Sequence, residues 1–315
     1  MRILVTGITG FAGSHLVEAL LCDAQVQIVG LSRGTDKSSI DANERVDIRH
    51  CDIRDSVAMQ ELLQEIQPEQ VYHLAGSSSV GQSFAEPLQV WQTNVEGTRS
   101  LYDAIHSWGG NPRILYVGSG LSYADPQSDE QGVTEETPFA PANPYALSKS
   151  TADLLSYQYY RWPGLQIIRA RPFNHIGPRQ SPRFALPSFA QQLAQMEKGL
   201  IPPILQTGNL DAIRDFTDVR DIVTGYTKLM NHGVPGEAYN LGSGKVISIR
   251  DVVNGLIQRT GKPVEVRQKD HLKRAAESRI TRANITKIRQ AVSWQPTIPL
   301  EQSLDDIMNY WRGQV

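Results

Sequence analysis

A tyrosine and a lysine four residues apart, Tyr145 and Lys149, are the side chains of this sequence best suited to chemistry. They fall in a segment with a helical pattern, and residues at i and i+4 lie on one face of a helix. A free tyrosine has a pKa of about 10, which is too high for efficient proton exchange at neutral pH. A nearby ammonium favours the phenolate, so we expect Lys149 to lower the pKa of Tyr145. The tuned phenol could then exchange a proton with a carbonyl or alcohol oxygen.

The chain begins with an apolar run of strand length that leads into three glycines and then a helical pattern. Their spacing is GxxGxxG rather than GxGxxG, but their place at the start of a βα unit indicates a dinucleotide site. A helix N-terminus offers free N–H groups and a positive dipole end to a pyrophosphate. The residues that we expect to hold the pyrophosphate are Gly7, Gly10, Phe11, Ala12 and Gly13.

Taken together, these motifs resemble the extended short-chain dehydrogenase/reductase family, and the resemblance extends in order over essentially the whole chain. It includes residues 52–53, 73–76, 94–98, 117–119 and 145–149. Residues 171–178 (RPFNHIGP) and 214–221 (RDFTDVRD) resemble its sugar-nucleotide branch. Within that branch, the chain looks like the reductases of GDP-4-keto-6-deoxy-D-mannose and their relatives, the GDP-mannose 4,6-dehydratases.

The resemblance implies a catalytic set of Ser119, Tyr145 and Lys149. The family places a Ser or Thr just past the fifth strand, four residues before a tyrosine, and Ser119 has this relation to Tyr123. Ser119 would donate a hydrogen bond to the substrate oxygen, Tyr145 would pass it a proton, and Lys149 would also bind the nicotinamide ribose. A hydrolase with Ser119 as nucleophile and His175 as base is disfavoured, since the sequence lacks the G-x-S-x-G elbow.

The cofactor is predicted to be NADP(H), because the second strand ends near Arg33 and not at an acidic residue. An Arg at this place accommodates the 2′-phosphate of NADP, whereas an acid bonds the 2′-OH of NAD. By resemblance, Asp52 bonds the adenine and Ile53 contributes a backbone group. Asp52 could equally cap the next helix, although Asp55 is better placed for that role. The loop after the fourth strand lines the cofactor with Leu74, Ala75 and Gly76.

The substrate residues are also implied by the resemblance. Asn174 would contact the diphosphate or the sugar, and Arg214 and Arg274 would pair with the nucleotide diphosphate. The segment that holds Arg274 adds Glu277 to this set, and Arg183 is a further candidate for the loop that faces the sugar.

Short apolar runs alternate with helical patterns, such as those at residues 56–66 and 90–108. This alternation predicts an α/β fold, namely a Rossmann-type doubly wound parallel sheet with helices on both faces. Strand candidates are residues 3–6, 26–31, 71–74, 114–117 and 165–169, and a further strand, the third, is expected just before Asp52.

Prolines interrupt this alternation after residue 171 and indicate a smaller, discontinuous second lobe. We predict an NADP-binding Rossmann domain of residues 1–171 plus about 213–242. A nucleotide-sugar-binding lobe would comprise about 172–212 plus 243–315. Open α/β sheets bind ligands at the carboxyl ends of their strands, so the second lobe should close over that edge.

The composition of the 315-residue chain fits a globular enzyme, with 40% apolar and 20% charged residues. Its net charge of −2 gives no electrostatic footprint for nucleic acid, and no apolar run approaches a membrane span. The two cysteines, Cys22 and Cys51, imply neither a disulfide framework nor a metal site. We therefore expect a cytoplasmic protein without nucleic-acid or membrane partners.

The predicted function is NADPH-dependent reduction of a GDP-linked 4-keto-6-deoxy sugar, most specifically GDP-4-keto-6-deoxy-D-mannose to GDP-D-rhamnose. A 4-epimerase or 4,6-dehydratase is the alternative within the fold, and a non-catalytic NADP-sensing scaffold is the alternative outside it. The family's dehydratases carry Glu two residues after the catalytic Ser/Thr, where this chain has Leu121. A homodimer is expected by resemblance, with residues 90–108 and 145–160 as the candidate interface helices.

Overall fold

The computed structural model describes residues 1–34, 43–124, 132–269 and 280–315, and a parallel sheet lies at its centre. The strands of this sheet are β1 (Arg2–Thr6), β2 (Gln27–Ser32), β3 (Val46–His50), β4 (Gln70–His73), β5 (Arg113–Val117), β6 (Gln166–Pro172) and β11 (Ala238–Leu241). Their order is β11-β6-β5-β4-β1-β2-β3, and all neighbours run parallel. The chain order reverses between β1 and β4, and doubly wound sheets bind ligands at that point. The predicted Rossmann-type fold is confirmed.

Helices cover both faces of the sheet. They are α1 (Phe11–Leu20), α2 (Ser56–Ile66), α3 (Val80–Ala85), α4 (Pro87–Trp91), α5 (Gly97–Trp108), α6 (Pro144–Arg161), α7 (Ala185–Glu197), α8 (Val219–His232), α9 (Ile249–Thr260), α10 (Thr286–Val292) and α11 (Leu300–Gln314). Along β1, Ile3 and Val5 pack in the core with α1 and α8, whereas Leu4 packs in the core with α2 and α5. Successive side chains of a strand point to opposite faces, so one strand supplies both cores.

A separate apolar core is formed by one face each of α7, α9 and α11, within the segments predicted as the second lobe. Short strands complete this part of the molecule: β7 (Asn174–Ile176), β8 (Ile204–Thr207), β9 (Ile213–Arg214), β10 (Phe216–Asp218), β12 (Ile247–Ser248), β13 (Glu265–Gln268) and β14 (Ile280–Thr281). They pair as β10-β7, β13-β8 and β12-β9-β14. In the last group, the late strand β14 pairs with β9.

One segment packs differently from its predicted assignment to the second lobe. Ile288 and Val292 of α10, followed by Trp294, are buried in the core that α1 and α8 share with the sheet. The Trp294 indole also donates a hydrogen bond to the Asp221 carbonyl in α8. The apolar face of α10 therefore packs against the sheet domain and not in the core of α7, α9 and α11. The other predicted lobe boundaries stay a prediction.

Local sequence signals set several helix ends. The predicted helix at 56–66 is α2, and Asp55 caps it by accepting hydrogen bonds from Val57 and Ala58. Ser248 caps α9 through the Asp251 N–H in the same way. Side-chain acceptors at these positions satisfy N–H groups that have no partner within the helix. Among the described helices, none is long and apolar enough to cross a bilayer.

Candidate active site

The glycine-rich turn between β1 and α1 is shaped by close backbone contacts. Gly7 has a φ of +72°, which favours glycine, and a Cβ there would lie 2.8 Å from the Ala75 nitrogen. A Cβ on Gly13 would lie 2.3 Å from the Gly7 carbonyl oxygen, so α1 packs directly on the turn. Gly10 is the N-cap residue of α1, and Phe11 and Ala12 form its first turn. The first N–H groups of a helix have no acceptor within it, so the N-terminus of α1 is the expected place for a pyrophosphate.

A buried hydrogen-bond network connects this turn to the loop after β4. The Thr6 hydroxyl lies 2.8 Å from His73 Nδ1 and accepts from the Ala75 N–H at 3.1 Å. His73 Nε2 lies 2.9 Å from the Thr98 hydroxyl, which donates to the Asn94 carbonyl. Burial lowers the pKa of His73 to about 3, so the ring is neutral and serves as a fixed bridge.

Asn94 fastens the same loop to the catalytic helix. Its Oδ1 accepts from the Ser77 N–H at 2.7 Å, and its Nδ2 donates to the Ser148 hydroxyl in α6 at 2.9 Å. A Cβ on Gly76 would lie 2.9 Å from Asn94 Oδ1, so the chain passes close to this amide. The network fixes Leu74, Ala75 and Gly76 at the edge of the sheet.

Ser119 and Tyr145 are brought together from two different elements. Ser119 follows β5 and begins a short turn, where its Oγ accepts from the Leu121 N–H at 3.2 Å. Tyr145 lies in the first turn of α6, which is capped by Asn143 through the Ala146 N–H. The two side chains are close enough for Ser119 to affect the pKa of Tyr145, and the two residues are only 7% and 8% exposed.

Lys149 lies one turn beyond Tyr145 on α6, as the spacing predicts, and is 7% exposed. Its Nζ donates to the Val117 carbonyl at 2.7 Å and lies 5.3 Å from the centre of the Tyr116 ring. Burial disfavours the ammonium and lowers the pKa of Lys149 to about 8, and the charge of Asp153 acts in the opposite direction.

The electrostatics of Tyr145 differ from the sequence prediction that its pKa is lowered. Burial raises the pKa of Tyr145, and the hydrogen bond with Ser119 opposes this only in part. Loss of water around the phenolate is therefore the dominant effect. The phenol is protonated at neutral pH, which suits a group that gives a proton rather than one that takes it.

The predicted cofactor residues at the other end of the crevice are more open to solvent. Arg33 directly follows β2, is exposed and lines a cavity of about 230 Å³. Gly76 lines the same cavity, as do Arg183 and Phe184 from the segment that leads into α7. Residues of both lobes thus meet at one cavity.

Asp52 and Ile53 follow β3 and have different surroundings. The Asp52 carboxylate accepts hydrogen bonds from the Arg54 guanidinium, which lower its pKa, and the charge of Arg33 adds a smaller effect in the same direction. Ile53 is buried, and a Cβ on Gly97 would lie 2.6 Å from its Cγ2. Arg33 and Asp52 therefore share one electrostatic neighbourhood, while the predicted bond from Asp52 to adenine stays a prediction.

Asn174 begins β7 and Arg214 ends β9, and β7 pairs with β10, which starts two residues after Arg214. Asn174 Nδ2 donates to the Asp215 carbonyl at 3.5 Å, and Arg214 Nη1 donates to the Ile213 carbonyl at 2.8 Å. Asp215 is buried between them; its carboxylate accepts hydrogen bonds from the backbone of Ser243, Gly244 and Ala283. This carboxylate ties two later loops to the strand end that carries Arg214.

The other two predicted substrate residues, Arg274 and Glu277, lie outside the described residues. The chain re-enters the described structure at Ile280, which pairs with Ile213 in β9.

Sequence reasoning missed the polar groups that support the catalytic residues. Thr6 and His73 are fully buried, and Asp153 is 1% exposed although it carries a charge. Asp153 lies four residues after Lys149, which is a helical spacing that could have indicated a contact. No pattern in the sequence identifies its partners, because they come from β6.

Known proteins resemble this chain over its full length. A family model described as GDP-mannose 4,6 dehydratase matches residues 4–307. The GDP-6-deoxy-D-mannose reductase of Pseudomonas aeruginosa is 34% identical over 314 residues, which cover 100% of this chain and 98% of that protein.

Solved structures agree with this relationship. The structure of RMD from Pseudomonas aeruginosa complexed with NADPH has a TM-score of 0.87 at 34% identity, with 100% of both chains covered. The UDP-glucose 4-epimerase of Thermotoga maritima with UDP-glucose has a TM-score of 0.90 at 25% identity, with 100% of this chain and 99% of that chain covered. The protein therefore belongs to the GDP-mannose 4,6-dehydratase family, in the sugar-nucleotide branch of the extended short-chain dehydrogenases/reductases.

Proposed function

We propose that the protein reduces GDP-4-keto-6-deoxy-D-mannose to GDP-D-rhamnose with NADPH. The observation that carries the proposal is the buried Ser119–Tyr145 pair, with Lys149 one turn away, at the ligand-binding edge of the sheet. The choice of substrate is supported by the 34% identity to the reductase of Pseudomonas aeruginosa, and the choice of NADPH by the similar structure that holds it.

The residues present fit a nicotinamide dinucleotide phosphate. Side chains at Gly7 or Gly13 would collide with backbone atoms, so glycine is needed for this tight turn at the N-terminus of α1, where a pyrophosphate would bind. Arg33 supplies a guanidinium beside this edge, and a planar guanidinium matches the geometry of a phosphate. When bound, the nicotinamide supplies a hydride.

The proton that completes the reduction comes from Tyr145 in this proposal. Its pKa is raised by burial, so the phenol carries its proton at neutral pH. Ser119, which lies near the phenol, presents its hydroxyl to the same substrate oxygen and stabilises the negative charge that develops there. The Lys149 ammonium lies on the same helix face and favours the phenolate that remains after the proton is given.

Dehydration is disfavoured by the side chains that follow Ser119. A 4,6-dehydratase must also remove the C5 proton and expel the C6 hydroxyl, which needs a further acid–base group. Leu121 stands where the family's dehydratases carry Glu, and it cannot titrate. The Glu135 carboxylate is engaged elsewhere, because it accepts the Asn240 N–H at 2.7 Å. Asp125, which follows the Ser119 segment, lies outside the described residues.

The protein is proposed to act as a homodimer in the cytoplasm. Leu147 and Leu154 lie seven residues apart on one side of α6 and are 47% and 58% exposed, and Leu88 on the adjacent α4 is also exposed. A contiguous apolar face of this kind is typical of an interface, and a second copy would cover it. Cys22 and Cys51 are both free thiols, which suits a reducing compartment.

The decisive experiment follows NADPH oxidation with GDP-, dTDP-, UDP- and CDP-linked 4-keto-6-deoxy sugars. We expect rapid oxidation with GDP-4-keto-6-deoxy-D-mannose, and GDP-D-rhamnose as the product identified by NMR. Incubation with GDP-mannose and NADP⁺ should give no ketosugar. Oxidation with none of the panel, or formation of the ketosugar from GDP-mannose alone, would overturn the proposal.

A further inference from the structure

A buried charged cluster lies directly behind the catalytic residues. Asp153 of α6 accepts from Arg169 Nη1 at 2.8 Å, and Arg171 of β6 binds both of its oxygens, with Nε and Nη2 at 2.9 and 2.8 Å. All three residues are buried. Burial of an ion costs several kcal/mol unless partners compensate it, and replacement of such clusters by apolar residues is often neutral or stabilising. Stability alone is therefore a weak reason for this cluster.

The cluster continues from Arg171 to the segment that carries Ser119. Arg171 Nη1 donates to the Tyr123 hydroxyl at 2.7 Å, and that hydroxyl donates to Asn240 Oδ1 at 2.7 Å. The guanidinium also lies 5.2 Å from the centre of the Tyr123 ring and 4.7 Å from that of Phe139. The Arg171 guanidinium, the Tyr123 hydroxyl and the Asn240 amide are all buried and hydrogen-bonded, so Tyr123 has a single defined position.

The two ends of these contacts adjoin the catalytic residues from opposite sides. Asp153 lies one helical turn after Lys149, and Tyr123 closes the turn that begins at Ser119. A Cβ on Gly118 would lie 3.2 Å from Asp153 Oδ2, so the strand end that precedes Ser119 passes close to this carboxylate. We name Asp153, Arg171 and Tyr123 the brace.

We propose that the brace residues are positioning residues for the reduction, which hold the Ser119 segment against α6 so that the Ser119 and Tyr145 hydroxyls address one substrate oxygen. The inference rests on the proposed function, because it requires that Ser119 acts in the reaction. Misplacement of a catalytic group by 1 Å can cost about 10²-fold in rate, so a brace at this place controls turnover without touching the substrate.

The chain offers a matched pair of variants to test the brace. Tyr123→Phe removes the hydroxyl between Arg171 and Asn240 and keeps the ring. Tyr102→Phe is the control: its fully buried hydroxyl lies 2.8 Å from Ser156 Oγ, which is also on α6 but away from Ser119. We expect Tyr123→Phe to lower kcat at least tenfold with little change in the KM for NADPH. Tyr102→Phe should lose a similar amount of thermal stability and keep kcat within about twofold.

A double-mutant cycle separates positioning from general damage. If the brace acts through Ser119, Tyr123→Phe should cost little further in a Ser119→Ala background, since no Ser119 hydroxyl remains to be misplaced. If the increases in activation free energy of the two single variants add fully in the double variant, the proposal is overturned. The cycle is run with any ketosugar of the panel that the wild type reduces, so an error in the nucleotide base does not affect it.

Amide hydrogen exchange gives a readout that does not depend on the reaction. In the wild type, the amides of Gly118, Ser122 and Tyr123 donate to backbone carbonyls. Tyr123→Phe should accelerate exchange over residues 118–124, whereas Tyr102→Phe should not. Equal protection of these amides from exchange in both variants would overturn the proposed role of the brace, even if the enzyme reduces the ketosugar. Accelerated exchange in Tyr123→Phe with an inactive wild type would instead contradict the proposed function.

Discussion

The two ends of the ligand-binding crevice hold their polar groups in opposite ways. At the α6 end, Ser119, Tyr145 and Lys149 are all less than a tenth exposed, and Ser119 and Lys149 have hydrogen-bond partners within the protein. At the β2 end, Arg33 is exposed, and the carboxylate of Asp52 pairs with the solvent-accessible Arg54.

This contrast separates chemistry from recognition. Charges and dipoles interact strongly where water is excluded. At the buried α6 end, the protein also holds the groups that a reaction needs in fixed positions before the substrate binds. An exposed guanidinium acts through a screened interaction that weakens with salt. We therefore expect large, salt-independent effects of substitution at the α6 end and smaller, salt-dependent effects at the β2 end.

The largest effect is expected for Tyr145→Phe. Removal of the proton donor should lower kcat by roughly 10²–10⁴, the usual contribution of a positioned acid. The Kd for NADPH, measured by fluorescence titration, should stay within about threefold, because the phenol is not a main anchor. Near-normal turnover at saturating substrate would show that the α6 end does not carry the chemistry.

A substitution in the glycine turn should have the next largest effect. The Cβ of Gly13→Ala would lie 2.3 Å from the Gly7 oxygen and 2.7 Å from the Ile8 oxygen, so backbone must move. We expect a loss of about 1–3 kcal/mol in the free energy of unfolding, measured in urea, together with weaker NADPH binding. The control is Gly313→Ala in α11, where a Cβ meets nothing within 4 Å and alanine favours the helix. Equal stability of the two variants would contradict the packing of α1 on the turn.

Arg33→Ala should weaken NADPH binding by about tenfold and leave NADH binding almost unchanged, since only NADPH carries the 2′-phosphate. The difference between the two cofactors should shrink as salt is raised from low to high concentration. Arg250→Ala is a suitable control, because Arg250 is an exposed arginine that pairs with Asp211 instead. Equal losses for NADPH and NADH in Arg33→Ala would remove Arg33 from the recognition of the phosphate.

The smallest effect is expected from pH. The pKa of Lys149 is about 8, so its ammonium is present below this pH and is lost as pH rises through it. Tyr145 keeps its proton in the same range because its pKa is raised. The reduction rate should therefore fall by about half near pH 8 and continue to fall above it. Lys149→Arg keeps a permanent charge and should lose this alkaline limb, and a limb that persists in Lys149→Arg would have to arise from another group.

The sequence predicts the elements well where local signals are strong. The glycine turn, the capped helix α2 and the catalytic helix α6 all have the predicted positions, because caps, glycines and apolar spacing act within a few residues. The helix α10 packs on the larger lobe instead of the second, since a short apolar face is compatible with either core.

Spacing and side-chain chemistry by themselves determined which groups can meet on one element, such as Tyr145 and Lys149 on one face of α6. Only the tertiary structure decided how these groups behave. Burial raises the pKa of Tyr145, contrary to the sequence prediction, because the loss of solvent outweighs the opposing effect of Ser119. Likewise, Asp153 is hydrogen-bonded to Arg171, and Arg171 to Tyr123, only when β6, α6 and the end of β5 are packed side by side. Contacts between residues distant in the chain depend on this packing, and no local pattern encodes them.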